Sequence, residues 1–356
     1  MALQKYAYGL IIFIASIFML YIGKTLFMPL TLAIIAWFII KQLIFYINKL
    51  ELKGRKIPVF LQNIFAFIVV IGAFVGFSGI LFNSAEAIQG KIPEYQQNLN
   101  QLIHEIQLPF QMDFKGLFER ISEQFNISSI LGLAVSSVSS IFSNAVLILL
   151  YLLFILIESS SFKEKLVKLY PNQNDKEDVD AILSSINTSM SSYISLKTVT
   201  SLLTGILSYI ILSIVGVDFA IFWAYLIFLL NYIPTIGSLI ATLFPVLIAF
   251  IQFGTWMQPS IVLVAVAGVQ VFVGNILEPK LMGNSLNVSP LVVLLSLAFW
   301  GWIWGVVGMI ISVPIAIMLI IVCTQFKDLR WIAILLSSNG DLPILKKETS
   351  EVQKTK

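Results

Sequence analysis

The chain reads as an all-α integral membrane protein, on three observations. Hydrophobic residues make up 58% of its 356 residues and charged ones only 12%, against roughly 45–50% and 25% in soluble domains. The apolar residues arrive in runs of about 15 to 25, the length that a hydrocarbon core of about 30 Å demands of a helix. The lysines gather beside those runs, where topology explains them, and a formal charge of +3 is too small to point to nucleic acid.

Taken in order, the candidate spans are Gly9–Ile22, Met28–Ile47, Val59–Phe82, Ile141–Ile157, Val199–Val215, Phe219–Leu230, Gly237–Ile251, Pro259–Leu277, Pro290–Ile303 and Gly305–Val322. The pieces around Pro234 and between Pro290 and Ile303 run only about 12 to 16 residues, which predicts re-entrant or broken helices in the C-terminal half and about eight full crossings. The first apolar run leads directly into the second, so it reads as an uncleaved anchor.

Charge sets the expected topology. The loop after the second span carries Lys41, Lys49, Lys53, Arg55 and Lys56, and the tail carries Lys327, Arg330, Lys346, Lys347, Lys354 and Lys356, which places both in the cytoplasm. Between Ser84 and Ser140 the acidic residues Glu86, Glu94, Glu105, Asp113, Glu119 and Glu123 prevail, which places that stretch outside. The expected regions are a three-span membrane region at 1–83, an extracytoplasmic helical segment at 84–140 and a fourth span at 141–157. A cytoplasmic amphipathic linker at 158–197, a C-terminal transport core at 198–326 and a cytoplasmic tail at 327–356 complete the chain.

In the outer segment Ile88, Ile92, Tyr95, Leu99, Leu102 and Ile106 recur at helical steps. Pro93 interrupts the stripe, so a helix is expected from Glu94. Such a face rests on the membrane or on its own bundle, or else meets another subunit. The small residues from Ser128 to Ser143 suit close helix approach.

Enzyme signatures fail one by one. Cys323 is the only cysteine and His104 the only histidine, which excludes an internal disulfide, a Cys/His zinc cluster and triad chemistry with a histidine base. Cys323 reads as a small apolar-facing residue and His104 as solvated. Gly23-Lys24-Thr25 mimics the end of a phosphate loop, but Phe18 stands where its first glycine belongs. The Asn-x-Ser triplets at Asn126, Asn187 and Asn287 carry no weight. No cofactor and no metal are expected.

Between Thr198 and Phe326 the only charged residues are Asp218, Glu278 and Lys280. Charges in such a region are candidate functional groups. The plain explanations are a solvated turn for Asp218 and a self-neutralising interfacial pair for Glu278 and Lys280. Two stretches share a pattern, Asn231-Tyr-Ile-Pro234-Thr-Ile-Gly237 and Asn275-Ile-Leu-Glu278-Pro279-Lys280-Leu-Met-Gly283. Proline removes a donor and glycine permits non-helical angles. Backbone groups freed in this way must face protein or a water-filled cavity, and paired breaks point to a transporter's binding site.

The stretch PTIGSLIATLFP, Pro234 to Pro245, and the stretch ILEPKLMGNSLNVSPLVVLLSLAFWGWIWGVVGMIISVPIAI, Ile276 to Ile317, resemble the hallmark segments of the autoinducer-2 exporter-like family of permeases. Pro234, Gly237, Pro245, Glu278, Pro279, Gly283, Pro290, Gly301, Trp302, Gly305, Gly308 and Pro314 occupy the motif positions. The resemblance implies an oligomeric permease of the bacterial inner membrane, with some members linked to autoinducer-2 export and others to sodium or proton exchange.

The resulting expectation is a secondary permease for a small polar solute, working in the lipid bilayer as a homo-oligomer. Asn231, Gln270 and Asn275 would hydrogen-bond the solute. Glu278 would couple to a cation or proton with Lys280 tuning it. Pro234, Gly237, Pro245, Pro279, Gly283 and Pro290 would break helices and gate. Gly301, Gly305 and Gly308 would let helices pack closely, and Trp300, Trp302 and Trp304 would suit an interface belt. A sodium/proton antiporter would need Glu278 and Asp218 as its carboxylates. A membrane scaffold without transport would depend on residues 94–107 instead.

Overall fold

A computed structural model describes residues 2–49, 58–110, 144–169, 173–282 and 288–340. Within them every regular element is helical apart from one isolated bridge between Val288 and Ser337. The helices are α1 (Ala2–Ile22), α2 (Lys24–Lys49), α3 (Val59–Phe110), α4 (Ala145–Leu169), α5 (Gln173–Val215), α6 (Ala220–Leu230), α7 (Ile236–Phe253) and α8 (Met257–Val271). A π-helical segment, Phe272–Leu277, runs on into α9 (Glu278–Met282), and α10 (Pro290–Gln325) and α11 (Arg330–Leu336) follow. Six helices among the described residues are long and apolar enough to cross a membrane, and Ala7–Ile22, Ala145–Ser159 and Ala220–Leu230 are shorter apolar helices. The all-α membrane class stands.

The chain divides into two compact units, one of Met1–Ile68, Asn144–Ser195 and Met282–Lys356, the other of Val69–Ser143 and Leu196–Leu281. Two of the four boundaries, at 68/69 and 195/196, fall inside the long helices α3 and α5.

In the first unit α2 packs along α4, and the apolar outer face of α1 stays bare, with Ile11, Phe13 and Phe18 each more than 60% exposed. That is the surface a lipid-facing helix presents. Helix α10 is a hairpin. Gly305 has φ +62° and ψ −141°, and Ser296 Oγ donates to Ser312 O at 2.9 Å, so residues 290–304 and 306–325 run antiparallel as the separate apolar runs predicted. The close approach depends on glycine, because a Cβ on Gly308 would stand 1.9 Å from Trp300 O and one on Gly301 would stand 2.9 Å from Met309 Cε.

Two expectations change here. Gly305 forms the turn itself, and the small-residue contact is made within the hairpin. Of the three tryptophans only Trp302 is exposed. Trp304 is buried with Ile303 and Ile311 and donates through Nε1 to Leu20 O at 3.0 Å, and Trp300 packs beside them. Cys323 is buried against Ile320 and Ala333, as its apolar setting suggested.

In the second unit α3 runs without interruption through Pro93. The expected start at Glu94 is therefore corrected. Pro93 removes one donor from a helix already established over many turns, and a single lost bond does not end it. Phe77 of α3 stacks on Tyr225 of α6 at 4.2 Å. Ile88 and Tyr95 of the stripe from Ile88 to Ile106 are buried. The small-residue run at 128–143, Asn126, Gly283 and Asn287 lie outside the described residues.

Helix α6 has only 11 residues, about 16 Å at 1.5 Å per residue, too short to cross a core of about 30 Å. It turns back at residues 231–235 into α7, and Gly237 allows the closure, since a Cβ there would lie 1.8 Å from Leu230 O. Thr235 holds φ +60°, strain that a β-branched residue tolerates only where its surroundings impose it. Pro234 therefore marks a true break, whereas Pro245 lies inside α7 without ending it. Pro290 starts α10, where its missing N–H costs nothing. Pro279 does not break its helix either, because the ladder continues from Met257 through the π segment to Met282. The proline ring would collide with the carbonyl of Asn275 in a regular helix, and the wider turn over Phe272–Leu277 relieves that contact.

Candidate functional site

The second unit buries an unusual amount of polarity for a membrane bundle. Lys197, Thr200, Ser201, Thr204 and Ser208 of α5 are all 5% exposed or less, and their steps of three, one, three and four put them on one helical face. Thr204 Oγ1 donates to Thr200 O at 2.8 Å and Thr200 Oγ1 to Lys197 O at 3.1 Å. Such bonds to a helix's own carbonyls satisfy a hydroxyl while leaving it able to turn toward another partner.

Residues distant in sequence converge on the turn Lys197–Ser201. Lys197 Nζ donates to Glu278 Oε1 at 2.7 Å, with side-chain exposures of 6% and 17%. Asn231 Nδ2 donates to Ser201 Oγ at 3.0 Å, and Tyr232 Oη donates to Thr198 Oγ1 at 2.8 Å. The α6–α7 turn thus supplies Asn231 and Tyr232, and the π segment delivers Glu278 to the same turn of α5. Among the described residues of this unit, Gln270 Nε2 and Ser208 Oγ are also buried without a hydrogen-bond partner. A buried polar group of this kind costs about 1–3 kcal/mol unless water or a solute satisfies it.

Of the residues expected from sequence, Asn231 and Glu278 meet at this turn, and Gln270 is buried eight residues before Glu278. Asn275 is exposed on the π segment. Lys280 is exposed as well, and the partner of Glu278 is Lys197, so both the tuning role for Lys280 and its mutual pairing with Glu278 are replaced. Asp218 stands apart, and it is no freely solvated turn residue. Its Oδ2 accepts from Lys91 Nζ at 2.7 Å and from Tyr95 Oη at 3.0 Å, and its backbone N–H donates to Gln252 Oε1 at 2.7 Å. Hydrogen bonding to Asp218 raises the Lys91 ammonium above its ordinary value, and burial pushes the Tyr95 phenol up. From Lys197 to the end of α5 at Val215 the helix rises about 27 Å, so the two carboxylates mark opposite ends of one crossing.

Lys197, Thr198, Ser201 and Tyr232 were not anticipated. The signal was present, because the polar residues of α5 recur with helical period, but Lys197 is the last residue of a stretch that reads as a solvated linker.

Residues 10–328 match the sequence model of the family described as "AI-2E family transporter". A "Putative transport protein" of Haemophilus influenzae is 34% identical over 276 residues, 74% of this chain and 78% of its own length. One of the same description from Borreliella burgdorferi is 29% identical over 321 residues, 89% of this chain and 86% of its own. The "AI-2 transport protein TqsA" of Escherichia coli K12 is 39% identical over 202 residues, 57% and 58% of the two chains. A match from the first helix to the end of the α10 hairpin, together with a polar site buried among apolar helices, makes this chain a multi-pass membrane permease for a small solute that belongs to the AI-2E transporter family.

Proposed function

We propose that the solute binds in the second unit at the turn Lys197–Ser201, is neutral overall and rich in hydroxyl or carbonyl groups, and leaves the cell by this route. The observation that carries the reading is the convergence of buried Lys197, Ser201 and Asn231 with half-buried Glu278, Thr198 and Tyr232. Its charges cancel and its remaining groups are hydroxyls and an amide, so it suits a polar molecule without net charge. Gln270, whose amide nitrogen lacks a partner, supplies a further donor. Autoinducer-2, named for the Escherichia coli relative, is the first solute to try.

In this reading the Lys197–Glu278 pair closes the site when it is empty and opens as the solute's polar groups replace each partner. Glu278 is the carboxylate that stands at the site, and Asp218 is an anchor remote from it, which weakens an antiporter that needs both carboxylates. The strained turn at Pro234 and Thr235, held by Gly237, is the moving element. The protein works in the inner membrane as a homo-oligomer with both termini cytoplasmic, residues 84–140 outside and the expected transport core of residues 198–326 extended by one residue to include Lys197.

The test is efflux of autoinducer-2 from preloaded proteoliposomes, with an internal pH dye read in parallel. Wild type is expected to release the solute, and Asn231→Leu and Gln270→Leu to slow release at least tenfold while the protein remains folded. Equal release from all three removes the site from consideration. A sodium-driven pH change that Glu278→Gln abolishes, without solute release, would make cation exchange the activity.

A further inference from the structure

We propose that the first unit carries a second binding site, a cavity occupied by an amine-headed zwitterionic phospholipid. The cavity, of about 670 Å³, lies between α2, α4, the start of α5 and the second arm of α10. Its size falls within the roughly 300–1,000 Å³ of sites for small organic ligands. Phe162 and other apolar side chains make up most of the wall, and Trp37, Lys41, Glu158, Asp180 and Asn187 supply the polar groups.

Position identifies the phase from which the occupant comes. Residues 25–40 of α2 and 145–157 of α4 carry no charge, and Lys41 and Glu158 are the first charges after those runs. Both line the cavity, so it lies where hydrocarbon gives way to headgroups.

The charge pattern identifies the headgroup. Lys41 Nζ sits 3.8 Å from the centroid of the Trp37 ring and donates to Asn187 Oδ1 at 3.1 Å, which fixes one cation at the wall. Glu158, bonded to Lys165, and Asp180 place two carboxylates on the same cavity. A purely anionic headgroup would meet both carboxylates, and a purely cationic one would meet Lys41. A phosphate followed at short reach by a primary ammonium satisfies both signs, the phosphate on Lys41 and the ammonium on a carboxylate. A trimethylammonium head has no N–H to donate, so ethanolamine lipid is favoured over choline lipid. The acyl chain takes the apolar wall.

The experiment exchanges purified full-length protein into nanodiscs of ethanolamine, choline and glycerol phospholipids in equal parts, then releases it and counts retained lipid by native mass spectrometry. Wild type is expected to retain ethanolamine lipid at least tenfold over the other two. Lys41→Gln should lose at least tenfold of that retention and Lys41→Arg should restore it. Ser159→Trp, which fills the cavity and leaves every charge in place, should also lose it. Val264→Trp, at a 73%-exposed position of α8, should not, and it controls for general effects of added bulk. Equal or greater retention of glycerol phospholipid overturns the proposal, as does unchanged retention in folded Lys41→Gln and Ser159→Trp. Displacement of the lipid by millimolar phosphoethanolamine alone would show that the free headgroup is the ligand, and the lipid assignment would then fall.

Discussion

Two ion pairs in the second unit have the same separation and opposite settings. Lys197 and Glu278 meet at 2.7 Å with exposures of 6% and 17%, and Lys91 and Asp218 meet at 2.7 Å with exposures of 38% and 22%. Distance therefore does not distinguish them. Burial does, because attraction and desolvation both grow as water is withdrawn, whereas solvent screens the outer pair. The inner pair belongs to the site and is costly to leave half-made. The outer pair joins α3 to the α5–α6 turn with help from Tyr95, and Asn98 adds a bond from Nδ2 to Gln252 O at 3.0 Å. It anchors a helix and contributes little else.

The largest expected effect separates the two directly. Lys197→Gln or Glu278→Gln alone strands a buried charge and should destabilise the protein by about 3–5 kcal/mol, read as thermal unfolding in detergent. The double variant should recover most of that loss, while transport stays impaired. Additive losses would mean that the two residues do not act as a pair.

Next comes the turn beside the inner pair. Gly237→Ala drives a methyl group toward Leu230 O, and overpacking of this kind costs about 1–3 kcal/mol. Solute efflux should fall at least tenfold, whereas Gly268→Ala, with nothing within 4 Å of its Cβ position, should leave efflux unchanged. Similar behaviour of the two would show that the tight closure is unimportant.

Gln270→Leu tests whether its buried amide serves the solute. Removing an unpartnered buried amide should raise stability by about 1–3 kcal/mol while efflux declines. A stabilised variant with full efflux would assign Gln270 to packing alone.

The smallest effect belongs to the outer pair. Lys91→Ala should cost roughly 0.2–1 kcal/mol and speed hydrogen exchange in α3 around Lys91 with efflux preserved. Because the Lys91 value is raised, its contribution is complete below about pH 10.5, the ordinary lysine value, and is lost as pH climbs through the raised one. Exchange in this stretch, corrected for the intrinsic rate, should then be flat from pH 7 to about pH 10. A marked rise within that range would place the anchor elsewhere.

Much of the fold was legible because its signals are local. The apolar runs located the helices, and their shortness near Pro234 and Pro290 predicted re-entrant or broken helices there, which the structure resolves as one turn closing at Gly237 and another at Gly305. Proline was read too strongly. Pro93, Pro245 and Pro279 all lie within continuous helix, since one missing donor is tolerated when neighbouring turns or a π segment absorb it. At the site Asn231 and Glu278 were legible as rare polar groups, whereas Lys197 was hidden by its place at the end of a charged stretch.

Sequence by itself thus determined the solvent in which this protein lives, the placement of most of its helices and the family to which it is similar, because hydropathy and turn chemistry act over a few residues. Tertiary structure alone decided which charges meet. Lys197 and Glu278 lie 81 positions apart and Lys91 and Asp218 lie 127 apart, and no local rule selects between them. Only the docking of α3 on the α5–α6 turn and of Glu278 on α5 assigns each carboxylate its lysine, and the water left around each pair then sets its role.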